Sequence, residues 1–335
     1  MRYDKISLAF GSGGRLTSEL ISGLFLKKFS NKILGELEDS AVLNIGKSRI
    51  AFTTDSYVVS PAFFPGGDIG RIAICGTVND LSVKGARAVA VSCGLIIEEG
   101  FPMQTLEKIV SSMCVAAKEA GVIVATGDTK VVEKGKADGL FINTSGVGII
   151  ESNLNISQKR IRPGDAIIVS GELAAHGVAV MNARNNLGIT GDIKSDCAPL
   201  NGLISSFIRK ADVKSIRDIT RGGLAMILNE AASSCGFSIE IDESLIPVSA
   251  PVKSACSMLG IDPVYVANEG KIAVFAPWNE SNFIVKTMKK HKYGKGAAII
   301  GKVLPEKAKK VYLRTPIGAR RLLTMPEGEQ LPRIC

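Results

Sequence analysis

Histidine is scarce in this sequence, with two in 335 residues, and there is a single tryptophan. The chain also lacks a Cys-x-x-Cys pair, a G-x-S-x-G elbow, a Walker G-x-x-x-x-G-K-[ST] loop and a G-x-G-x-x-G fingerprint. A Ser-His-Asp hydrolase would have to be built on His291, inside the lysine-rich KKHKYG, or on His176, after GELAAHG. Both are expected to be solvated or structural, which excludes that class. Seven cysteines at 75, 93, 114, 197, 235, 256 and 335 are odd in number and scattered, which excludes a disulfide framework or a zinc ribbon. Most sit among apolar neighbours, as Cys114 does in IVSSMCVAAKEAG and Cys75 in IAICGTV, and read as small buried hydrophobes. No run reaches the ~18 apolar residues of a membrane span, and MRYDKISLAFGSGG has no apolar signal core. The expectation is a cytoplasmic protein. A net charge of +9 accompanies only 5% aromatic residues and dispersed lysines, with no nucleic-acid motif. The basic residues read as solvated faces that favour anionic ligands or an acidic partner.

The chain is long enough for two domains, and 46% hydrophobic residues can fill their cores. AVLNI-GKS-RIAFTT reads as a hairpin, DIGRIAICGTVNDLSVKG as a helix and ARAVAVSCGLII as a strand. PMQTLEKIVSSMCVAAKEAG is a second helix, with Pro102 in its first turn and Gly121 at its end. VIVATGD and GLFINTSGVGII complete a first half of strands. The polar ESNLNISQKRIRPG at 151–164 marks a boundary before the strand AIIVSG. Further strands (FSIEI, IAVFA, AAIIG) and helices (GGLAMILNEAASSCG, APVKSACSMLG) follow. The reading is a mixed α+β chain: a glycine-rich segment 1–38, domains 39–155 and 156–324, and a mobile tail 325–335. Ten extended residues span ~33 Å, enough to carry the terminal Cys335 thiol into a site on its own or a neighbouring subunit.

Several carboxylates end apolar runs: Asp39 in GELEDSAVL, Asp55 in RIAFTTDS, Asp80 in GTVNDL and Asp128 in VIVATGDTK. Converging at strand ends they would form a hard oxygen site for Mg²⁺, although each alone also fits a turn or cap. Gly13 and Gly14 in FGSGGRLTSEL, and Gly222 and Gly223 in TRGG, each precede a helix. They suit phosphate contact through backbone amides, and equally a simple turn.

These stretches carry a resemblance. EDSAVL, FTTDSYVVSPAFFPGGDIGRIAICGTVNDLSVKGA, TGDTKVVEKGKADGLFINTSGVG, IRDITRGGLAMILNEAA, DPVYVANEGK and the terminal LPRIC resemble the HypE family of hydrogenase maturation proteins, nearly end to end. That family lies in the ATP-using superfamily of aminoimidazole ribonucleotide synthetase, selenophosphate synthetase and thiamine-monophosphate kinase. The resemblance implies a homodimer whose N-terminal sheets form an intersubunit β-barrel, with ATP and Mg²⁺ bound between two α/β domains. It implies a terminal Cys335 that receives a carbamoyl group from the carbamoyltransferase HypF. ATP-dependent dehydration then yields a thiocyanate, whose cyanide passes to iron on a HypC-HypD scaffold.

In that scheme Asp39, Asp55, Asp80 and Asp128 hold the metal. Gly13, Gly14, Asn79, Thr129, Arg221, Gly222 and Gly223 contact the nucleotide. Glu269 in VANEGK is the base, Lys130 assists it, and Asn229 and Glu230 support the site. Phe10 stands where many members of the family have histidine. Two other readings are a small-molecule synthetase or kinase of the same superfamily and a non-catalytic thiol carrier.

Overall fold

The computed structural model describes residues 4–151, 153–189, 191–326 and 333–335. After α1 (Arg15–Leu20), a π-helical turn and α2 (Leu26–Phe29), the chain enters a five-stranded sheet. Its strands are β1 (Ala41–Ile45), β2 (Ser48–Tyr57), β5 (Ala86–Glu98), β6 (Ile123–Val132) and β7 (Leu140–Ile150), in the order β1-β2-β7-β5-β6. A two-stranded ribbon, β3 (Phe63–Phe64) and β4 (Gly67–Asp68), leads into α3 (Ile69–Val83). α4 (Met103–Ala120) ends at Gly121, as the sequence suggests.

The second half holds a seven-stranded mixed sheet in the order β14-β13-β10-β12-β8-β11-β9. Its strands are β8 (Ala166–Val169), β9 (Ser215–Asp218), β10 (Ile239–Asp242), β11 (Ile272–Ala276), β12 (Ala298–Val303), β13 (Val311–Arg314) and β14 (Arg320–Leu322). The helices here are α5 (Ala175–Asn185), α6 (Asn201–Phe207), α7 (Gly223–Cys235), α8 (Ala250–Leu259) and α9 (Trp278–Met288). The fold is α/β mixed.

α3 is apolar nearly all round, so it must lie inside the molecule rather than on it. The Asp68 carboxylate caps it, accepting from Gly70 N at 2.8 Å and Arg71 N at 3.0 Å. One side of α3 meets β2, β5 and β7, and the other meets α6 and β9 of the second half. A single apolar core therefore runs from Ile72 and Val78 to Leu200, Phe207 and Val274. β7 alternates buried and more exposed residues, which makes the first sheet two-faced. Its inner face packs on α3, while Phe52, Val89, Ile96, Val147 and Ile149 are exposed on the other. Two cysteine expectations divide: Cys75 is buried in α3, whereas Cys114 is exposed on α4.

The tail expectation changes at its end. Residues 327–332 lie outside the described residues, but Ile334 is 2% exposed and Cys335 packs against the core. Burial of the penultimate isoleucine outweighs the polar composition that made the segment read as mobile.

Where α3 passes β2, the Tyr57 hydroxyl lies 2.2 Å from where a Cβ on Gly76 would sit, so no side chain fits there. Gly76→Ala should cost about 1–3 kcal/mol in denaturant unfolding, the usual cost of overpacking. The Tyr57 hydroxyl makes no well-aligned hydrogen bond but lies beside Asp55 and Thr77, so Tyr57→Phe should cost little alone and recover most of that loss in the double variant. Additive costs in the cycle would show that the clash is not the cause.

Candidate active site

Asp39 precedes β1, Asp80 lies on the fourth turn of α3, and Asp218 ends β9. Their carboxylate oxygens lie within 4.8 Å of one another. Three anions converge from three elements because α3 runs along the seam between the sheets. Thr53 Oγ1 donates to Asp80 Oδ2 at 2.7 Å, and Ser40 Oγ donates to the Asp80 carbonyl at 2.8 Å. Arg217 Nε approaches Asp39 Oδ1 at 2.8 Å and Arg217 Nη2 approaches Glu230 Oε2 at 2.9 Å. The Arg217–Asp39 contact is an ion pair without hydrogen-bond alignment, and Asp39 Oδ2 and Arg217 Nη1 have no partner.

Burial pushes the Asp39 carboxyl up to about 8 against the opposing Arg217 charge. Burial also raises Asp80, with the Asp218, Asp55 and Asp39 charges adding to the effect. Asp218 is pushed up to about 6 by burial, with Arg217 opposing. An all-oxygen set with an orphaned buried oxygen, Asp39 Oδ2, suits a hard divalent ion.

A second group adjoins the first. Burial raises Asp55 against Arg221, and burial with the Asp55 and Asp218 charges raises Glu269. Cys335 belongs to this group: burial pushes its thiol up to about 12, with Arg221 opposing and Glu269, Asp55 and Asp218 adding to the rise. Its backbone is seated by contacts from separate elements. Val58 N donates to Cys335 O at 3.0 Å, His176 Nε2 lies 2.8 Å from Ile334 O, and Arg184 Nη2 donates to Arg333 O at 2.5 Å. Arg333 Nε donates to Val58 O at 2.8 Å, and its guanidinium pairs with Asp138.

The two glycine clusters meet. A Cβ on Gly13 would stand 3.0 Å from Arg221 Cβ, and Arg221 Nη1 donates to Gly11 O at 2.9 Å. Gly13, Gly222 and Gly223 all have positive φ, and a Cβ on Gly14 would be 2.6 Å from Pro326 O. These glycines admit close backbone packing around Arg221. Phe10 is buried beside this loop.

Other expected site residues lie elsewhere. Asn79 Nδ2 donates to Ala198 O at 3.1 Å and to Glu269 O at 3.4 Å, and Asn79 Oδ1 accepts from Leu200 N at 2.8 Å. Its side chain therefore joins the two halves. Asn229 Nδ2 donates to Ala225 O at 2.8 Å and Leu323 O at 3.0 Å. Asp128, Thr129 and Lys130 sit on β6, and Lys130 Nζ donates to Asp128 at 2.8 and 2.6 Å, both side chains exposed. Register runs Asp55 to Thr144, then Asn143 to Gly94, then Gly94 to Asp128, so β6 is three strands from β2. At about 4.8 Å per strand, Asp128 is ~14 Å from Asp55 across the sheet. Within one chain Asp128 does not join the carboxylate cluster, and Lys130 lacks the burial that would make it a base. Sequence reasoning missed Asp218, Arg217 and His176. The run IRDITRGG held a signal for the first two, an apolar-to-acidic step like the one at Asp55.

Two family models match the chain: AIR synthase related protein, N-terminal domain, over residues 37–150, and its C-terminal domain over residues 162–314. Carbamoyl dehydratase HypE of Azotobacter vinelandii is 45% identical over 336 residues, covering 100% of this chain and 98% of that protein. A chain of a HypE-HypF complex has TM-score 0.88 and 46% identity, over 92% of this chain and 99% of that one. The hydrogenase maturation protein HypE in complex with ATP has TM-score 0.83 and 45% identity, over 99% and 100% of the two chains.

The raised carboxyls set a pH dependence. Each folded-state value lies above the unfolded one, so the stabilisation is full below the ordinary carboxylate range near pH ~4. It is lost as pH rises through about 6 for Asp218 and about 8 for Asp39. Divalent-free protein should therefore lose thermal stability between those limits relative to Asp80→Asn, and saturating Mg²⁺ should restore it at the alkaline end. Calorimetry checks both. Identical pH profiles for wild type and Asp80→Asn would remove the cluster as the cause.

Proposed function

The chain belongs to the HypE family of carbamoyl dehydratases, hydrogenase maturation proteins among the AIR synthase related proteins, and from that premise we propose its reaction. With ATP it dehydrates the S-carboxamide carried on its own Cys335 to a thiocyanate, the source of a cyanide ligand for hydrogenase iron. The observation that carries this reading is the seat of Cys335 beside Arg221, Glu269 and Asp55, next to Asp39, Asp80 and Asp218.

An amide oxygen leaves poorly, so the carboxamide oxygen must first become a phosphate ester. Phosphoryl transfer depends on positioning and charge neutralisation. Asp39, Asp80 and Asp218, with Asp55 beside them, would hold Mg²⁺, which supplies positive charge against the polyphosphate. Arg221, held by Gly11, keeps a fixed cation beside the tail, with Gly13, Gly14, Gly222 and Gly223 offering backbone amides to the nucleotide. Loss of phosphate requires a proton from the carboxamide nitrogen. Glu269 is the base: its raised affinity for a proton makes the ionised carboxylate a stronger acceptor.

A thiol pushed up to about 12 is a poor nucleophile where it sits. This supports loading of the carbamoyl group outside the seat, on HypF, which a related chain's complex with HypF also supports. Delivery of cyanide to a HypC-HypD scaffold completes the scheme. The exposed apolar sheet face supports a homodimer. In it, Asp128, Thr129 and Lys130 of one chain would complete the site of its neighbour, a role a single chain's geometry denies them.

Intact mass spectrometry after incubation with HypF, carbamoyl phosphate and ATP tests the reading. Carboxamide addition at Cys335 followed by loss of one water is expected, and modification elsewhere would sink it. Asp80→Ala and Asp128→Ala should each retain the carboxamide and slow water loss at least ~100-fold, the scale of losing a group that positions transition-state charge. Mixed dimers of the two variants should regain water loss if the site is shared, and stay inactive if each chain works alone.

A further inference from the structure

Among the buried titratable side chains that the proposed reaction does not use, His176 touches the tail. His176, in the first turn of α5, is 0% exposed, with the Phe64 ring edge-on at 5.3 Å. Its two ring nitrogens have different partners. Nε2 lies 2.8 Å from Ile334 O and Nδ1 lies 2.8 Å from Ser195 Oγ. A carbonyl can only accept, so Nε2 carries the proton and donates. Burial lowers the imidazole's proton affinity, so the ring is neutral and Nδ1 must accept from the Ser195 hydroxyl. Ser195 Oγ in turn accepts from Cys197 N at 3.1 Å. The bonds form a chain with one direction, from Cys197 N–H through Ser195 and the imidazole to the carbonyl beside the terminal cysteine.

The chain is fixed at both ends of its protein side. Ser195 N donates to Pro65 O at 2.7 Å, and Gly177 N donates to Ala267 O at 3.1 Å. Asp196, next to Ser195, accepts from Glu269 N at 3.0 Å. Eight residues along α5 from His176, on the same side of the helix, Arg184 donates to Arg333 O. α5 thus holds two successive carbonyls of the tail, and the segment that orients His176 also holds the backbone of Glu269.

We propose that His176 is a positioning residue: as a neutral Nε2–H donor oriented by Ser195, it sets the register of the last residues so that Cys335 faces Glu269 and Arg221. A tail shifted by one residue would offer the imidazole the wrong carbonyl and turn the sulfur away from both. The placement of Cys335 against Glu269 as a reacting pair rests on the dehydratase reading. The seating of the tail does not.

The first test therefore uses no turnover. In the full-length protein without nucleotide, iodoacetamide labelling of Cys335, followed by peptide mass spectrometry, reports how often the tail leaves its seat. His176→Phe keeps a ring and loses both bonds, and it should speed labelling about three- to tenfold, the value of one hydrogen bond. His176→Gln can place an amide donor near the Nε2 position and should label close to the wild-type rate. Unchanged labelling in His176→Phe at unchanged melting temperature would overturn the proposal. If His176→Phe does not fold, Ser195→Ala replaces it, with the same acceleration expected and the same null result overturning the idea. The second test is the rate of water loss from carbamoylated protein, which should fall in His176→Phe with no change in KM for ATP, and recover in His176→Gln. If wild type itself loses no water, the dehydratase reading fails while the labelling result still decides the role of His176.

Discussion

Asp39, Asp80 and Asp218 are held within 4.8 Å of one another where little water reaches them. Like charges at that spacing repel strongly in a low dielectric. The rest of the molecule is arranged around keeping them there. α3 is capped, buried along most of its length and in contact with both sheets, so Asp80 cannot retreat. Arg217 and Arg221, from the short stretch around the end of β9, supply cations without filling the space between the carboxylates. The resulting cluster is an all-oxygen group whose carboxyls are raised by burial, next to a seat for the terminal thiol.

Asn79 and Asp80 show how one helix serves both needs. Asn79 bonds the backbone at Ala198, Leu200 and Glu269, and the next residue, Asp80, belongs to the carboxylate cluster. The seam between the halves is thus fixed one residue from the chemistry. This ties the position of Glu269 to that of Asp80 without a direct contact between their side chains.

Much of this was legible in the sequence. The period of α3 and α4, the Gly121 stop, the hairpin of β1 and β2, and the carboxylates closing apolar runs are local signals, and they picked out Asp39, Asp55 and Asp80. Asp218 escaped because SIRD is a four-residue strand whose burial comes from β11 beside it, which no local pattern records. Asp128 was expected at a strand end, but it lies in the middle of β6, and the width of the sheet, a product of strand order, sets it apart from the others. His176 looked structural because its partner, Ile334, lies 158 residues away in sequence. The family resemblance joined the tail to the acidic site, yet gave no hint of how the tail is held.

β6 is an edge strand, exposed along nine of its ten residues, with Ile123, Val124 and Val131 among them. An edge with unused backbone donors and acceptors and apolar side chains is a template for any other extended segment. Natural edges are commonly shielded by bulges, prolines or inward charges, and this one has Lys130 as its only lysine. Such a strand leaves an isolated chain most open to misassembly along β6 when it is newly made and crowded by copies of itself.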